Sequence, residues 1–178
     1  MKRHQLEHVV RAAADVTSDQ IVVVGSQAVL IQFPNAPPEL LTSLEADVYP
    51  RANPERAIEI DGVLGDGSPF HELYGYYAHG VGPETPIAPE GWEDRLVRME
   101  THSTLMKSTV TGWGIEIHDL VLSKLAAGRQ HDYVFVEVAL QTGIVDLPKL
   151  RELLLLMPES HRDLTRDRLE GLIARLTP

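Results

Sequence analysis

The sequence predicts an α/β fold of the α+β type, in which a short mixed β-sheet is followed by C-terminal helices. Short runs that are β-branched or that alternate in hydropathy, such as "QIVVV" and "SLEADVY", lie early in the chain. From Asp119 onward, apolar residues recur at i, i+3 and i+4, which is helical periodicity. A chain of 178 residues with 43% hydrophobic residues can bury one core but is short for two domains. We therefore expect one compact unit, with an α/β core at residues 1–117 and a helical segment at residues 118–178 that completes a cleft.

The composition limits the classes of function. The chain has no cysteines, which excludes disulfides, zinc–thiolate sites and cysteine nucleophiles. Its longest apolar runs fall far below the roughly 18 residues that span a bilayer. The N-terminus "MKRHQLEHVVRAAADV" alternates charged and apolar residues as an amphipathic helix does, so it is not read as a signal peptide. We expect a cytoplasmic protein without a membrane partner.

The net charge of −10 is concentrated in the first half of the chain. Residues 1–94 contain fifteen acidic and five basic residues, whereas residues 95–178 contain eleven of each. An acidic surface disfavours strong non-specific binding of nucleic acid, because neutralising phosphates requires basic side chains. A bound divalent cation suits the acidic half better.

The opening elements follow from their apolar patterns. Helical spacing relates Leu6, Val9, Val10, Ala13 and Val16. The run "QIVVV" then predicts a buried strand, and Gly25-Ser26 predicts the turn out of it. The segment "QAVLIQF" predicts a short helix, which the adjacent prolines of "PNAPPE" must end.

The remaining elements are predicted in the same way. The alternation of "SLEADVY" predicts a strand, and Asn53-Pro54 predicts the cap and first turn of a helix that continues to about Ile60. Residues 62–91, rich in Gly and Pro, predict a long loop with short elements in it, of the kind that forms a lid or binding segment. Two further strands are predicted for "RLVRMETH" and "WGIEIH". Four helices are predicted for "DLVLSKLAAGR", "DYVFVEVALQTG", "LPKLRELLLLM" and "HRDLTRDRLEGLIARL".

The turn at Gly25-Ser26 is the first candidate site. A helix that follows a strand through such a turn presents unpaired N–H groups to an anion, and glycine lets the backbone approach that anion closely. Ser26 adds a hydroxyl donor. The alternative is an ordinary strand-to-helix turn in which Ser26 is the N-cap.

The acidic pair Glu45 and Asp47 is the second candidate site. Residues i and i+2 of a strand point to the same side, so the two carboxylates converge. Two like charges this close repel unless a cation neutralises them or one carboxyl stays protonated. Mg²⁺ prefers oxygen ligands and fits such a pair, and Mn²⁺ is the alternative ion. A half-exposed edge strand with its polar side in water would also explain the pattern.

The two motifs together resemble the DNA polymerase β-like nucleotidyltransferases. The family pattern is a hydrophobic residue with Gly-Ser, a helix, and then a strand of the Asp-x-Asp type; here these are "VVGS" and "EAD". Glu45 replaces the commoner Asp and lengthens that ligand by one methylene. The resemblance implies a minimal nucleotidyltransferase core in which Gly25 and Ser26 hold a triphosphate and Glu45 and Asp47 hold the metal.

A further segment, "IHDLVLSKLAAGRQHDYVFV", resembles the Lys–Arg–Asp helical motif of the small AbiEii/MenT-like nucleotidyltransferase toxins. The segments "SLEADVYP" and "LYGYYAHGVG" resemble the same group. By this resemblance Lys124 binds a phosphate, Asp132 has a catalytic or metal-orienting role, and Arg129 is a neighbouring nucleotide-binding residue. The alternative from the residues alone is a lysine whose stem lies on an apolar surface and a surface Asp132 paired with Arg129.

Many enzymes of this superfamily use a third carboxylate to activate the acceptor hydroxyl. The candidate here is Glu100, with Glu116 and Asp119 as alternatives. The dipeptides His118-Asp119 and His131-Asp132 suggest a metal-dependent phosphohydrolase as a minor alternative. The histidines at positions 71, 79 and 102 are read as structural.

The sequence thus predicts a metal-dependent nucleotidyltransferase that transfers NMP from an NTP to an acceptor. The resemblance implies an RNA acceptor, particularly a tRNA end, or a protein hydroxyl, and it implies a toxin with a cognate antitoxin partner. The main alternative is a non-catalytic relative that binds nucleotide or forms a complex.

Overall fold

A computed structural model describes residues 1–103, 105 and 107–176. The chain divides into two compact units. The first contains Met1–Thr85 and Leu96–Ile115, and the second contains Pro86–Arg95 and the chain from Glu116 onward. Residues 86–95, which the sequence places with the α/β core, therefore belong to the helical unit.

The first unit is built on a five-stranded sheet with the order β3-β2-β1-β5-β4. Its strands are β1 (Ile21–Val23), β2 (Glu45–Pro50), β3 (Tyr77–Gly80), β4 (Val97–Ser103) and β5 (Ser108–Gly114). Strand β1 is antiparallel to β2 and parallel to β5, while β2 is parallel to β3 and β4 is antiparallel to β5. The predicted α+β class with a short mixed sheet is confirmed.

Four α-helices of the first unit flank these strands: α1 (Arg3–Thr17), α2 (Val29–Gln32), α3 (Ala57–Leu64) and α4 (Pro69–Tyr74). Helix α1 has the predicted amphipathic pattern, and its apolar residues Leu6, Val9, Val10 and Ala13 are fully buried. It contacts all five strands, so its apolar stripe forms much of the core of this unit.

One local prediction was wrong, and two others were confirmed in position. "WGIEIH" is not one strand, because β5 ends at Gly114 and Glu116 accepts a hydrogen bond from the His118 N–H as the N-cap of the next helix. Asn53 does occupy the predicted N-cap position, at the start of a 3₁₀ turn (Pro54–Arg56) that leads into α3, although its side-chain amide donates to Asp19 instead of capping the turn. The predicted long loop with short elements at residues 62–91 is confirmed, and its elements are the end of α3, all of α4 and strand β3.

The second unit contains the four predicted C-terminal helices, which are confirmed as α5 (Ile117–Ala127), α6 (Gln130–Gln141), α7 (Leu147–Leu154) and α8 (Glu159–Leu176). Helix α5 packs against the other three and is buried along most of its length. It ends at Gly128, whose positive φ of 66° forms a left-handed cap. Among the described helices, none combines the length and the apolar character needed to cross a membrane.

Candidate functional site

The first wall of the candidate site is the turn after β1. Gly25 occupies the N-cap position of a 3₁₀ turn at Ser26–Ala28, which leads directly into α2. No side chain caps this turn. The alternative in which Ser26 is the N-cap is therefore wrong, because Ser26 lies one residue inside the turn.

The second wall is formed by two neighbouring parallel strands. Glu45 and Asp47 on β2 face Tyr77 and His79 on β3, because the register pairs Glu45 with Tyr77 and Asp47 with His79. Alternation along each strand places these four side chains on the same face, while Ala46 and Ala78 are fully buried on the other. The prediction that the two carboxylates share one side of a strand is confirmed.

His79 lies between the two carboxylates. Its Nδ1 atom is 3.2 Å from Oδ1 of Asp47 and 3.6 Å from Oε1 of Glu45. The Tyr77 hydroxyl donates a 2.8 Å hydrogen bond to Oε2, the other oxygen of Glu45. One oxygen or nitrogen atom from each of Glu45, Asp47 and His79 lies within 4.8 Å of the other two. That separation is similar to the distance of about 4 Å between ligands on opposite sides of one small ion.

The two walls meet at Gly25 and Asp47. The backbone N–H of Val24 donates a 3.0 Å hydrogen bond to the Asp47 carbonyl, which extends the β1–β2 ladder as far as the turn. A methyl group at position 25 would overlap Oδ2 of Asp47 and lie 2.8 Å from its Cγ. Gly25 is therefore required by the close approach of a carboxylate, and Gly-Ser and the acidic pair form one site.

Burial and a neighbouring like charge both act on the carboxyl group of Asp47. Burial is the main cause that raises the pKa of Asp47 to about 6, and the nearby charge of Glu45 adds to it. His79 opposes this shift only in part. The hydrogen bond to Glu45 is the main cause that raises the pKa of Tyr77 to about 12, so Tyr77 stays a donor at neutral pH.

We expect Asp47→Asn to raise the free energy of unfolding by about 1 to 3 kcal/mol at pH 7 in the presence of EDTA. The folded protein binds the Asp47 proton more tightly than the unfolded chain does, because the pKa rises from 3.8 to about 6. The contribution of this group to stability therefore falls as the pH rises through that window. Urea denaturation at several pH values measures the difference, which should shrink as the pH falls from 6 to 4.

The exposed carboxylate of Glu100 provides the control, since Glu100→Gln should change the unfolding free energy by less than about 0.5 kcal/mol. A difference between wild type and Asp47→Asn that stays constant from pH 4 to pH 7 would contradict the shifted pKa. Saturating Mn²⁺ should reverse the order of stability, because only the intact site gains from binding.

The structure does not bring Glu100 to this site. Glu100 lies on β4, which β5 and β1 separate from β2, so the strands are about 14 Å apart at the usual spacing. Its side chain is exposed and forms an ion pair with Arg98. The prediction of Glu100 as the third carboxylate beside Asp47 is therefore wrong. The residue directly opposite Asp47 on the neighbouring strand β3 is His79.

The alternatives Glu116 and Asp119 are held by contacts within the second unit. Glu116 accepts hydrogen bonds from His118 Nδ1 and Lys149 Nζ, which lower its pKa to about 2 despite its burial. Asp119 is fully buried and accepts two hydrogen bonds from the Arg95 guanidinium. Each carboxylate thus already has cationic partners.

The structure brings Lys124 and Asp132 together. They lie on separate helices, α5 and α6, because Gly128 in the left-handed conformation ends α5 between them. Lys124 Nζ donates a 2.9 Å hydrogen bond to Oδ1 of Asp132 and lies over the Phe135 ring. Both residues of the pair are buried, so the alternative of a lysine with only its stem on an apolar surface and a surface Asp132 paired with Arg129 is wrong. Arg129 is exposed, and its backbone N–H donates to Oδ2 of Asp132.

Neither His-Asp dipeptide forms a metal cluster among the described residues. His118 receives a hydrogen bond at Nε2 from the Asp146 N–H and donates from Nδ1 to Glu116, so both ring nitrogens are occupied. His131 is exposed beside the buried Asp132. The geometry gives the phosphohydrolase alternative no support.

His79 and Tyr77 are the site residues that sequence reasoning missed. Both lie in a stretch whose glycines and prolines favoured a loop, and His79 was read as structural. The available signal was the four-residue pattern "YAHG", in which polar Tyr77 and His79 flank a small apolar residue at the same i, i+2 spacing as Glu45 and Asp47.

Comparison with known proteins identifies the family of the chain. Residues 4–169 match the protein-family model described as "Nucleotidyltransferase of unknown function (DUF6036)". No curated protein and no solved structure shows a significant match. The α+β fold with its short mixed sheet is consistent with a small nucleotidyltransferase core. The match spans almost the whole chain, which therefore belongs to this nucleotidyltransferase family.

Proposed function

We propose that the protein is a metal-dependent nucleotidyltransferase that transfers NMP from an NTP to an acceptor hydroxyl. The acceptor oxygen forms a bond to the α-phosphorus and its proton is released to water, while the bond from that phosphorus to the bridging oxygen breaks and pyrophosphate leaves with the electron pair. The observation that carries the proposal is the convergence of Glu45, Asp47 and His79 beside Gly25, in a chain that belongs to a nucleotidyltransferase family.

The site fits a divalent ion on two grounds. Its donors are two carboxylates and an imidazole, and the space beside Asp47 exists only because residue 25 has no side chain. Glu45 and Asp47 would hold Mg²⁺ or Mn²⁺, which when bound neutralises charge on the phosphates. Gly25 and Ser26 would contact the triphosphate through their backbone, and Tyr77 keeps Glu45 oriented.

The roles of Lys124, Arg129 and Asp132 rest on the resemblance to the toxin group. Because the Lys124 ammonium is already bonded to a buried carboxylate, we propose that Lys124 and Asp132 chiefly fix the junction of α5 and α6. Arg129, which is exposed at the start of α6, is then the better candidate for a phosphate contact.

The acceptor is proposed to be small in footprint, either an RNA end such as that of tRNA or a protein hydroxyl. Six of the eleven basic residues of the second half are paired with carboxylates, namely Arg95, Arg98, Lys124, Lys149, Arg151 and Arg166. Paired cations contribute little to neutralising a long nucleic-acid backbone. A role as a toxin with a cognate antitoxin is part of the same proposal and rests on the resemblance alone.

Label transfer from each α-labelled NTP tests the function. The protein is incubated with Mn²⁺ or Mg²⁺ and with total cellular RNA or protein extract. We expect Asp47→Asn to lose at least about 100-fold in rate, as expected when a metal ligand is removed. Glu100 lies on β4, at the opposite edge of the sheet from β3, so Glu100→Gln should keep the wild-type rate.

Two outcomes would count against this function. Equal transfer by wild type and Asp47→Asn would contradict the metal role of the pair. Nucleotide binding without transfer to any acceptor would favour the alternative of a non-catalytic nucleotide-binding relative.

A further inference from the structure

We propose that His79 is a third protein ligand of the metal, and that it makes the site select Mn²⁺ over Mg²⁺. This inference rests on the proposed metal role of Glu45 and Asp47 and adds the identity of the ion. Mg²⁺ strongly prefers oxygen ligands, whereas imidazole suits first-row transition ions, and Mn²⁺ accepts both kinds of donor.

The register of the sheet puts His79 in the ligand position. On the neighbouring parallel strand it lies directly opposite Asp47, and it shares the same face. Its Nδ1 atom is within 3.6 Å of an oxygen from each carboxylate. Among the described residues, its polar contacts are these two carboxylates, and its side chain is half exposed. The ring is therefore aimed at the acidic pair without being fixed by the rest of the fold.

Glu45 is also held in a way that suits a three-ligand site. Its longer side chain is steadied by the Tyr77 hydroxyl, which bonds Oε2 and leaves Oε1 on the side of His79. Metal ligands in proteins are commonly oriented by such outer hydrogen bonds. The extra methylene of Glu45 is thereby compensated by a neighbour on the adjacent strand.

A simple ion pair between His79 and the carboxylates is the competing explanation, and it predicts the opposite sign. An imidazolium that only pairs with the carboxylates competes with the metal, so its removal should strengthen metal binding or leave it unchanged. If His79 is instead a metal ligand, its removal should weaken metal binding.

Calorimetric titration of the nucleotide-free protein with MnCl₂ and with MgCl₂ measures both affinities directly. We expect wild type to bind Mn²⁺ about 10-fold or more tightly than Mg²⁺, and His79→Ala to lose about 10- to 100-fold in Mn²⁺ affinity while its loss for Mg²⁺ is smaller. His79→Asp should keep binding but shift the preference toward Mg²⁺. The exposed His102 on β4 gives the matched control, and His102→Ala should behave as wild type.

The spin-echo spectrum of bound Mn²⁺ provides a second readout that does not depend on affinity or activity. A nitrogen hyperfine coupling is expected in wild type and in His102→Ala, and it should be absent in His79→Ala. Unchanged or tighter Mn²⁺ binding by His79→Ala, with no nitrogen coupling in wild type, would overturn the inference. Loss of binding by Asp47→Asn in that same experiment would still support the proposed function, whereas unchanged binding by Asp47→Asn would refute its metal role.

Discussion

Gly25→Ala is expected to reduce Mn²⁺ affinity by about 100-fold or more while the protein stays folded. The new methyl group would overlap Oδ2 of Asp47, so the carboxylate must rotate out of the site. The backbone of Gly25 has φ −85° and ψ −170°, which alanine adopts without strain. Loss of one metal ligand accounts for an effect of this size. Calorimetric titration with MnCl₂ measures it, and circular dichroism establishes that the fold is retained.

Gly62→Ala is the matched control, because Gly62 lies within α3 and a methyl group there meets no atom within 4 Å. This variant should bind the ion as wild type does and should be more stable by about 0.5 to 1 kcal/mol, since alanine favours the helix. Wild-type Mn²⁺ affinity in Gly25→Ala would contradict the close contact between Gly25 and Asp47. It would also contradict the conclusion that the Gly-Ser turn and the acidic pair form one site.

Lys124→Met is expected to lower the free energy of unfolding by about 3 to 5 kcal/mol. The change leaves the Asp132 carboxylate buried without the ammonium that bonds it at 2.9 Å. The double variant Lys124→Met, Asp132→Leu should recover most of that loss, because two apolar side chains leave no uncompensated charge. Urea denaturation of the wild type and of the single and double variants measures the free energies of unfolding that this comparison needs.

Lys149→Met provides the comparison for this cycle. Lys149 also pairs with a carboxylate, that of Glu116, but its side chain is 41% exposed, so its loss should cost about 1 kcal/mol or less. If Lys124 instead serves mainly to bind a phosphate, Lys124→Met should leave stability almost unchanged and weaken nucleotide binding. That result would contradict the structural role proposed for the pair.

The elements predicted well are those with a strong local period. Helix α1 and the four C-terminal helices repeat apolar residues over many turns, and β1 and β2 have the β-branched or alternating pattern of strands. The side shared by Glu45 and Asp47 follows from strand geometry alone, so half of the candidate site could be derived from two residues.

The rest of the site depends on pairing between distant segments. Strand β3 is four residues long and lies among glycines and prolines. Its short alternating pattern is therefore a weaker signal for a strand than the surrounding composition is for a loop. Only its register with β2 brings His79 to Asp47, 32 residues away. The prediction that Glu100 lies beside Asp47 was wrong for the same reason, since the local pattern of β4 does not predict the order of the strands in the sheet.

The pairing of Lys124 with Asp132 shows a second limit. On one continuous helix, residues eight apart are near the same face but more than two turns away from each other. The left-handed Gly128 reverses the chain, so the two side chains meet across two helices instead. The periodicity of the sequence therefore predicts the two helices but not this contact between them.

Equilibrium binding of a non-hydrolysable α,β-methylene NTP tests the metal–triphosphate site most directly, because it requires no knowledge of the acceptor. The titration is run with Mn²⁺ and with EDTA on wild type, Asp47→Asn and Glu100→Gln. We expect wild type and Glu100→Gln to bind the analogue only with the ion present, and Asp47→Asn to bind at least about 30-fold more weakly. Binding that is equal in all three proteins and unaffected by EDTA would show that Glu45, Asp47 and His79 do not form the site.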